Sequence, residues 1–166
     1  AEKKDSQGLC FIGKIDIRRF LKEFIPESHG KILTTAGKKV GKHDGLGFYT
    51  IGQRHGIGIG GGTPYYVAAK DFASNSLIVA EDASDKNLYK NELTANNINW
   101  ISGEEPKLPL ECLARIRYRQ PLQRCSVEER SAKIRVRFAE PQRAIAPGQS
   151  VVFYKDDEML GGAVII

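Results

Sequence analysis

The run ECLARIRYRQPLQRCSVEERSAKIRVRFAEPQR, residues 111–143, decides the fold prediction. Apolar and charged residues alternate along it with a period of two, as in strands that bury one face and expose the other. The predicted core faces carry Cys112, Ala114, Ile116, Tyr118, Ala132, Ile134, Val136 and Phe138. The opposite faces carry Arg115, Arg117, Arg119, Lys133, Arg135 and Arg137. We therefore predict antiparallel strands with a buried face and an arginine-rich outer face.

The charge of the whole chain lies in this run. From Glu111 to Arg143 there are nine basic residues and four acidic ones, a balance of +5 that equals the net charge of all 166 residues. Arginines on a rigid sheet could bind the phosphates of a nucleic acid, or they could be the solvated outer face of a barrel. Tyr118 could stack on a base, although the alternation places it with the core residues and favours packing.

The decisive stretch belongs to a larger set of strand-like runs. After the acidic, polar segment EDASDKNLYKNE, residues 81–92, this second set of strands is predicted to begin near Leu93. Its five short runs are ECLARIRYRQ, RCSVEE, AKIRVRF, SVVFY and MLGGAVII. Short strands separated by turns predict a small barrel or sandwich.

Upstream of this polar segment, the pattern predicts a smaller sheet. The run KILTTAGKKVG, residues 31–41, predicts a hairpin around Ala36-Gly37, and residues 65–82 predict another that turns at Ser74-Asn75-Ser76. The one good helix candidate precedes them: Asp16 can cap it, Pro26 stops it, and its apolar residues recur at helical spacing, namely Ile17, Phe20, Leu21 and Phe24.

The glycine run GIGIGGG, residues 56–62, formally contains a GxGxxG match at Gly56, Gly58 and Gly61. A dinucleotide site needs a helix after the glycines, whereas Thr63-Pro64 and a strand-like YYV follow here. We therefore predict a tight backbone loop instead of a nucleotide site. Residues on its upstream side are available to contact a ligand, namely Gln53, Arg54 and His55.

The spacing of the cysteines and histidines does not match that of known metal-binding motifs. His29, His43 and His55 lack HxH or HExxH spacing, so we predict no metal site. Cys112 and Cys125 share the apolar parity of their strands and are interpreted as small buried residues. Cys10 differs, because GLCFIG places it in a polar segment just before the helix, where a neighbouring cation or a helix N-terminus could activate its thiol.

Composition limits the class of protein. Hydrophobic residues make up 41% of the chain, which is enough to build a core, and no run is long and apolar enough to cross a membrane. Three cysteines fit a reducing compartment, so we expect a soluble cytoplasmic protein with no membrane partner. Because Ala1 opens the chain without an initiator Met, we expect it to derive from a longer protein.

Several motifs together resemble the tRNA-specific 2-thiouridylases, which place sulfur at C2 of the wobble uridine of certain tRNAs. The similarity runs in order over almost the whole chain. Its motifs are KKDSQGLCFIG, VGKHDGLGFYTIGQRHGIGIGG, YYVAAKD, RIRYRQ, FAEPQRAIAPGQSVVFY and LGGAVI. A series of this kind is far more specific than any one of its members.

The resemblance implies a mainly β fold and a division of the chain into parts. It implies a cysteine segment with a short helix over 1–28, a central β domain over 29–91, and a C-terminal β-barrel similar to the second domain of elongation factor Tu over 92–166. The family's N-terminal ATP-pyrophosphatase domain, with its SGGxDS loop, is not among these residues. The resemblance implies that this N-terminal domain binds ATP and Mg²⁺. No cofactor is expected to bind to residues 1–166 themselves.

The resemblance also implies roles for residues. Cys10 matches the cysteine that carries a persulfide received from a sulfur donor protein, and the cysteine that releases the product matches neither Cys112 nor Cys125. Arg117, Tyr118 and Gln149 match tRNA-binding positions. Gln53, Arg54, Gly56 and Gly58 belong to the glycine loop, which is expected near the RNA path. The isolated chain is expected to be inactive; the alternative from another class is a stand-alone RNA-binding β-barrel.

Overall fold

The computed structural model describes residues 17–166 and shows a four-stranded sheet followed by a closed six-stranded barrel. The prediction of a mainly β protein, with a small sheet domain, one short helix and then a barrel, is confirmed. The helix α1 spans Ile17–Lys22, and the predicted cap Asp16 and the thiol of Cys10 lie outside the described residues.

The sheet domain contains four strands. They are β1 (Gly30–Thr34), β2 (Lys39–His43), β3 (Tyr66–Asp71) and β4 (Ser76–Ala80). Both predicted hairpins are present, and the parallel pairing of β1 with β4 joins them into one sheet of order β2-β1-β4-β3. The first turn needs Gly37, whose φ of 84° is a left-handed conformation that glycine adopts without a steric penalty.

The core of the sheet domain is built mainly from apolar side chains on one face of the sheet. Ile32, Val67, Leu77 and Val79 have no exposed surface, and they pack against residues from the segment that contains Leu46 and Ile57. His43 is also buried, with its Nε2 3.2 Å from the carbonyl oxygen of Asn75. The segment between β2 and β3 therefore folds onto the sheet and closes this core.

The barrel is closed in the order β10-β5-β8-β7-β6-β9. Its strands are β5 (Tyr89–Trp100), β6 (Leu110–Arg115), β7 (Gln123–Arg130), β8 (Lys133–Arg143), β9 (Ser150–Lys155) and β10 (Glu158–Ile165). Closure leaves the sheet without an open edge, and the interior is filled by side chains such as Phe153, Ile134, Val136 and Val127, which have no exposed surface.

The predicted alternation holds within the barrel strands and fails where they end. Ala114, Ile116, Ile134, Val136 and Phe138 are buried as expected. The placement of Ala132 in the core is wrong, because Ser131 and Ala132 form the left-handed turn between β7 and β8 and Ala132 is exposed.

The second set of strands begins four residues before the predicted Leu93. Residues 89–92 already belong to β5, where Tyr89 pairs with Arg143 and Glu92 with Arg137 of β8. Their side chains are exposed, so the alternation that would reveal a half-buried strand is missing from this part of the sequence.

Candidate nucleic-acid interface

Strand β6 ends at Arg115, so Arg117 and Tyr118 of the predicted strand lie in the loop that follows it. Tyr118 is 58% exposed, which corrects its expected packing in the core: period-two alternation stops applying where the strand stops. The guanidinium of Arg119 lies 5.7 Å from the centre of the Tyr118 ring. An exposed phenol ring on a loop is a surface on which a base can stack.

Two glutamines hold this loop in place. Gln120 accepts a hydrogen bond from the Ile116 N–H at 3.2 Å, and its amide donates to Oε1 of Gln142 at 2.5 Å. Gln142 is buried and in turn donates to the carbonyl of Glu140 at 2.7 Å. The loop is thus fixed to the end of β8. No local pattern in the sequence marks these two glutamines, which lie 22 residues apart.

Arg117 connects the loop to the segment after β8. Its Nη2 donates to the carbonyl oxygen of Ala144 at 3.0 Å. Partial burial, with a smaller contribution from the nearby Arg143 cation, lowers the pKa of Arg117. A guanidinium has five N–H donors, so this one bond leaves donors that can face an RNA phosphate.

Gln149 lies in the same β8–β9 loop as Ala144. Its backbone is fixed, because its N–H donates to the Ala146 carbonyl at 3.3 Å and its own carbonyl accepts from the Ile165 N–H at 2.8 Å. Its side chain is exposed. The structure therefore places Gln149 in the loop whose first residue accepts the hydrogen bond from Arg117.

The sheet domain meets these barrel loops at Gly52. A Cβ built on Gly52 would lie 2.6 Å from Cβ of Ala144 and 3.3 Å from Nη2 of Arg117, and the residue has a φ of 85°. The Ala144 N–H donates to the carbonyl of Leu88 at 2.6 Å nearby. Only a residue without a side chain allows this approach, and Gly52 directly precedes the glycine loop.

The glycine loop is shaped by its own side chains. Gln53 uses both ends of its amide, accepting from the Thr50 N–H at 3.0 Å and donating to the carbonyl of His55 at 2.8 Å. Gly56 and Gly58 have φ of 71° and 80°. Gln53 therefore stabilises the loop, while Arg54 is exposed beside a hollow of about 260 Å³.

Arg18 ties α1 to the same loop. Its Nη2 lies 3.0 Å from both Oδ2 of Asp44 and the hydroxyl of Tyr49, and its Nη1 donates to the carbonyl of Gly56 at 3.4 Å. This contact was not found from the sequence. It fixes the helix that follows the Cys10 segment in the chain against the glycine loop.

The approach of Gly52 to Ala144 and Arg117 joins the segment that leads into the glycine loop to two loops of the barrel. We call the surface formed by residues 52–62, 116–120 and 144–149 the junction surface. It contains Gln53, Arg54, Gly56, Gly58, Arg117, Tyr118 and Gln149. Cys10, the predicted catalytic residue, lies outside the described residues.

Two arginines on the barrel strands already have partners within the chain. Arg137 lies 3.5 Å from a carboxylate oxygen of Glu92 and 3.9 Å from one of Glu128. The guanidinium of Arg115 stacks over the ring of Tyr154 at 4.7 Å. Arg115 and Arg137 are therefore weaker candidates for nucleic-acid contact than Arg117, whose guanidinium donates to a neutral backbone carbonyl.

The two described cysteines face each other across β6 and β7. Cys125 is buried as predicted, Cys112 is half-buried, and their Sγ atoms are 3.7 Å apart. Their hydrogen bond raises the pKa of Cys125, with burial adding to the effect, and lowers the pKa of Cys112.

Within residues 17–166, no three His, Cys, Asp or Glu side chains cluster as metal ligands, and no helix is long and apolar enough to span a membrane.

These features define a class: two-domain β proteins in which a mixed sheet joins a closed barrel through a cationic loop surface. Residues 18–81 match the family model described as the tRNA methyl transferase PRC-barrel domain. Residues 90–165 match the aminomethyltransferase beta-barrel domain.

Similarity to proteins of known name identifies the family within this class. The tRNA-specific 2-thiouridylase of Marinomonas sp. (strain MWYL1) is 47% identical over 98% of this chain and 43% of its own length. Those of Halalkalibacterium halodurans and Hahella chejuensis are 48% and 46% identical over 99% of the chain and 45% and 46% of their lengths. The chain belongs to the tRNA-specific 2-thiouridylase family, and it spans less than half the length of these relatives.

Proposed function

We propose that this chain supplies the tRNA-binding surface and the sulfur-carrying cysteine of a tRNA 2-thiouridylase. The observation that carries the binding role is the junction surface, where Gly52 of the sheet domain contacts Ala144 and Arg117 of the barrel. The names of relatives that match nearly the whole chain support thiolation of tRNA as the reaction.

In the proposed reaction, Cys10 accepts sulfur from a persulfide donor protein. The outer sulfur is a good nucleophile and forms a bond to C2 of the wobble uridine, while the C2–O bond breaks. Adenylation of that oxygen, with ATP and Mg²⁺ bound by an ATP-pyrophosphatase domain joined to this chain, would make it a leaving group. A second thiol would then form a disulfide with Cys10, which breaks the bond between Cys10 and the transferred sulfur and releases the thiolated base.

The barrel contributes binding in this proposal. Arg117 contacts a phosphate, Tyr118 stacks on a base, and Gln149 donates or accepts hydrogen bonds at the same barrel end. Phosphate contacts position an RNA, and stacking on exposed aromatic rings is how unpaired bases are held. The glycine loop, with Arg54 on it, extends this surface into the sheet domain.

Arg117→Ala is expected to weaken tRNA binding about tenfold and to reduce the slope of log affinity against log salt by about one, because one phosphate contact is lost. The measurement is tRNA binding by the chain over a salt titration. Arg137→Ala is the matched control, since it removes the same charge from a side chain that Glu92 and Glu128 already neutralise.

Arg117→Lys keeps the positive charge but removes the planar set of guanidinium donors. It therefore distinguishes the loss of a charge–phosphate contact from a change in the conformation of the loop. We expect it to retain most of the salt slope. If Arg117→Ala and Arg137→Ala weaken binding equally, or if neither does, the assignment of tRNA contact to the junction surface is wrong.

A further inference from the structure

A cleft of about 340 Å³ opens between the two domains beside the junction surface. One wall comes from residues 49–51 and strand β3, and the other from the start of β5 and residues 144–147. Ala144 belongs to both places, because it lines the cleft and its carbonyl accepts the hydrogen bond from Arg117. A ligand held at the junction surface could therefore extend into the cleft.

The cleft has a positive charge that nothing in the described chain neutralises. Its lining contains Lys70 on one wall, Lys90 on the other, and no carboxylate. Within residues 17–166, neither lysine has a carboxylate oxygen within 4.0 Å. Lys70 is also partly buried, which lowers its pKa because water is excluded from the ammonium. An anion between the two walls would compensate both charges.

An aromatic ring stands at the same cleft. Phe72 follows β3, lines the cleft and is 75% exposed, more than any other large hydrophobic residue described. The rest of the lining is mostly apolar, with Leu88 and Pro147 among its members. A planar ring beside two cations is suited to a ligand that has a flat aromatic part and a negative group, as in single-stranded nucleic-acid sites.

We infer that this cleft binds one unpaired nucleotide of the RNA held at the junction surface, with its base stacked on Phe72 and its phosphate between Lys70 and Lys90. This inference rests on the proposed tRNA-binding function. The continuity through Ala144 and the complementary charge favour a nucleotide within an RNA strand over a free nucleotide.

The test is binding of a short single-stranded oligoribonucleotide, and separately of uridine monophosphate, to the chain and its variants. Phe72→Ala and Lys70→Met are each expected to weaken oligonucleotide binding about tenfold. The controls are Phe24→Ala, which removes a similarly exposed ring elsewhere, and Lys155→Met, which removes an exposed lysine from the end of β9. Both controls should bind as the unmodified chain does.

Three results would overturn the inference: the cleft variants bind the oligonucleotide as the controls do, the unmodified chain binds neither probe, or uridine monophosphate binds as tightly as the oligonucleotide. Arg117→Ala distinguishes failure of the cleft from failure of the proposed function. If Arg117→Ala weakens tRNA binding and Phe72→Ala does not, the proposal that the junction surface binds tRNA is retained. The inference that the cleft binds a nucleotide is then wrong.

Discussion

Cys10→Ser is expected to abolish the uptake of transferable sulfur by this chain. A persulfide forms when a thiolate accepts sulfur by exchange, and a serine hydroxyl cannot do this. The measurement is incubation with a stoichiometric persulfide donor, alkylation, and mass spectrometry of the cysteine-containing peptides. In the unmodified chain, we expect the added sulfur on the peptide that contains Cys10.

The two barrel cysteines serve as internal references for this experiment. Cys125 is buried, and its raised pKa disfavours the thiolate that the exchange needs. Cys112 is half-buried with a lowered pKa, so it is the stringent comparison, and Cys112→Ser should leave the sulfur on Cys10 unchanged. Sulfur found on Cys112 instead, or on no cysteine, would favour the alternative of a stand-alone RNA-binding barrel.

Gly52→Val is expected to lower the free energy of unfolding by about 3 kcal/mol and to weaken tRNA binding. A left-handed φ costs an L-residue about 1–2 kcal/mol, and overpacking a close contact costs about 1–3 kcal/mol. Both apply here, because the φ is 85° and a Cβ would lie 2.6 Å from that of Ala144. The measurement is denaturant unfolding together with tRNA binding.

Gly58→Val is the matched control for stability. Its φ of 80° is nearly the same, but a Cβ there meets no heavy atom within 4 Å. It should therefore lose only the backbone contribution, about 1 kcal/mol. Equal destabilisation by the two substitutions would show that the close approach of Gly52 to Ala144 adds no steric cost.

The sequence predicted those parts of the fold that local patterns encode. Both hairpins of the sheet domain and the buried positions of β6 and β8 follow from turn residues and alternation. The parallel pairing of β1 with β4 could not be predicted, because it joins strands whose first residues are 46 positions apart and leaves no local signal.

The wrong predictions of burial have a common physical cause. Side chains alternate between buried and exposed only within a strand, so the alternation gives no information beyond the residue at which the strand ends. Tyr118 lies beyond the end of β6 and Ala132 lies in a turn, so parity assigned both to the wrong side. Residues 89–92 show the opposite case, since they are paired in β5 although their exposed side chains give no alternation.

The candidate site was predicted as separate pieces. Charge marked the arginine strand, and resemblance marked Arg117, Tyr118, Gln149 and the glycine loop. Their proximity depends on Gly52, whose approach to Ala144 spans 92 positions of the chain. A contact between two loops has no periodicity, so the junction surface could only be found in three dimensions.

Crosslinking of tRNA to the chain, followed by mapping of the crosslinked peptides, tests the proposed tRNA surface most directly. We expect crosslinks in residues 52–62, 116–120 and 144–149, from both domains in the same complex. Crosslinks confined to the outer face of β7 and β8, where Arg124, Arg130 and Lys133 are exposed, would contradict the account, because the RNA would then bind the barrel wall without contacting the sheet domain.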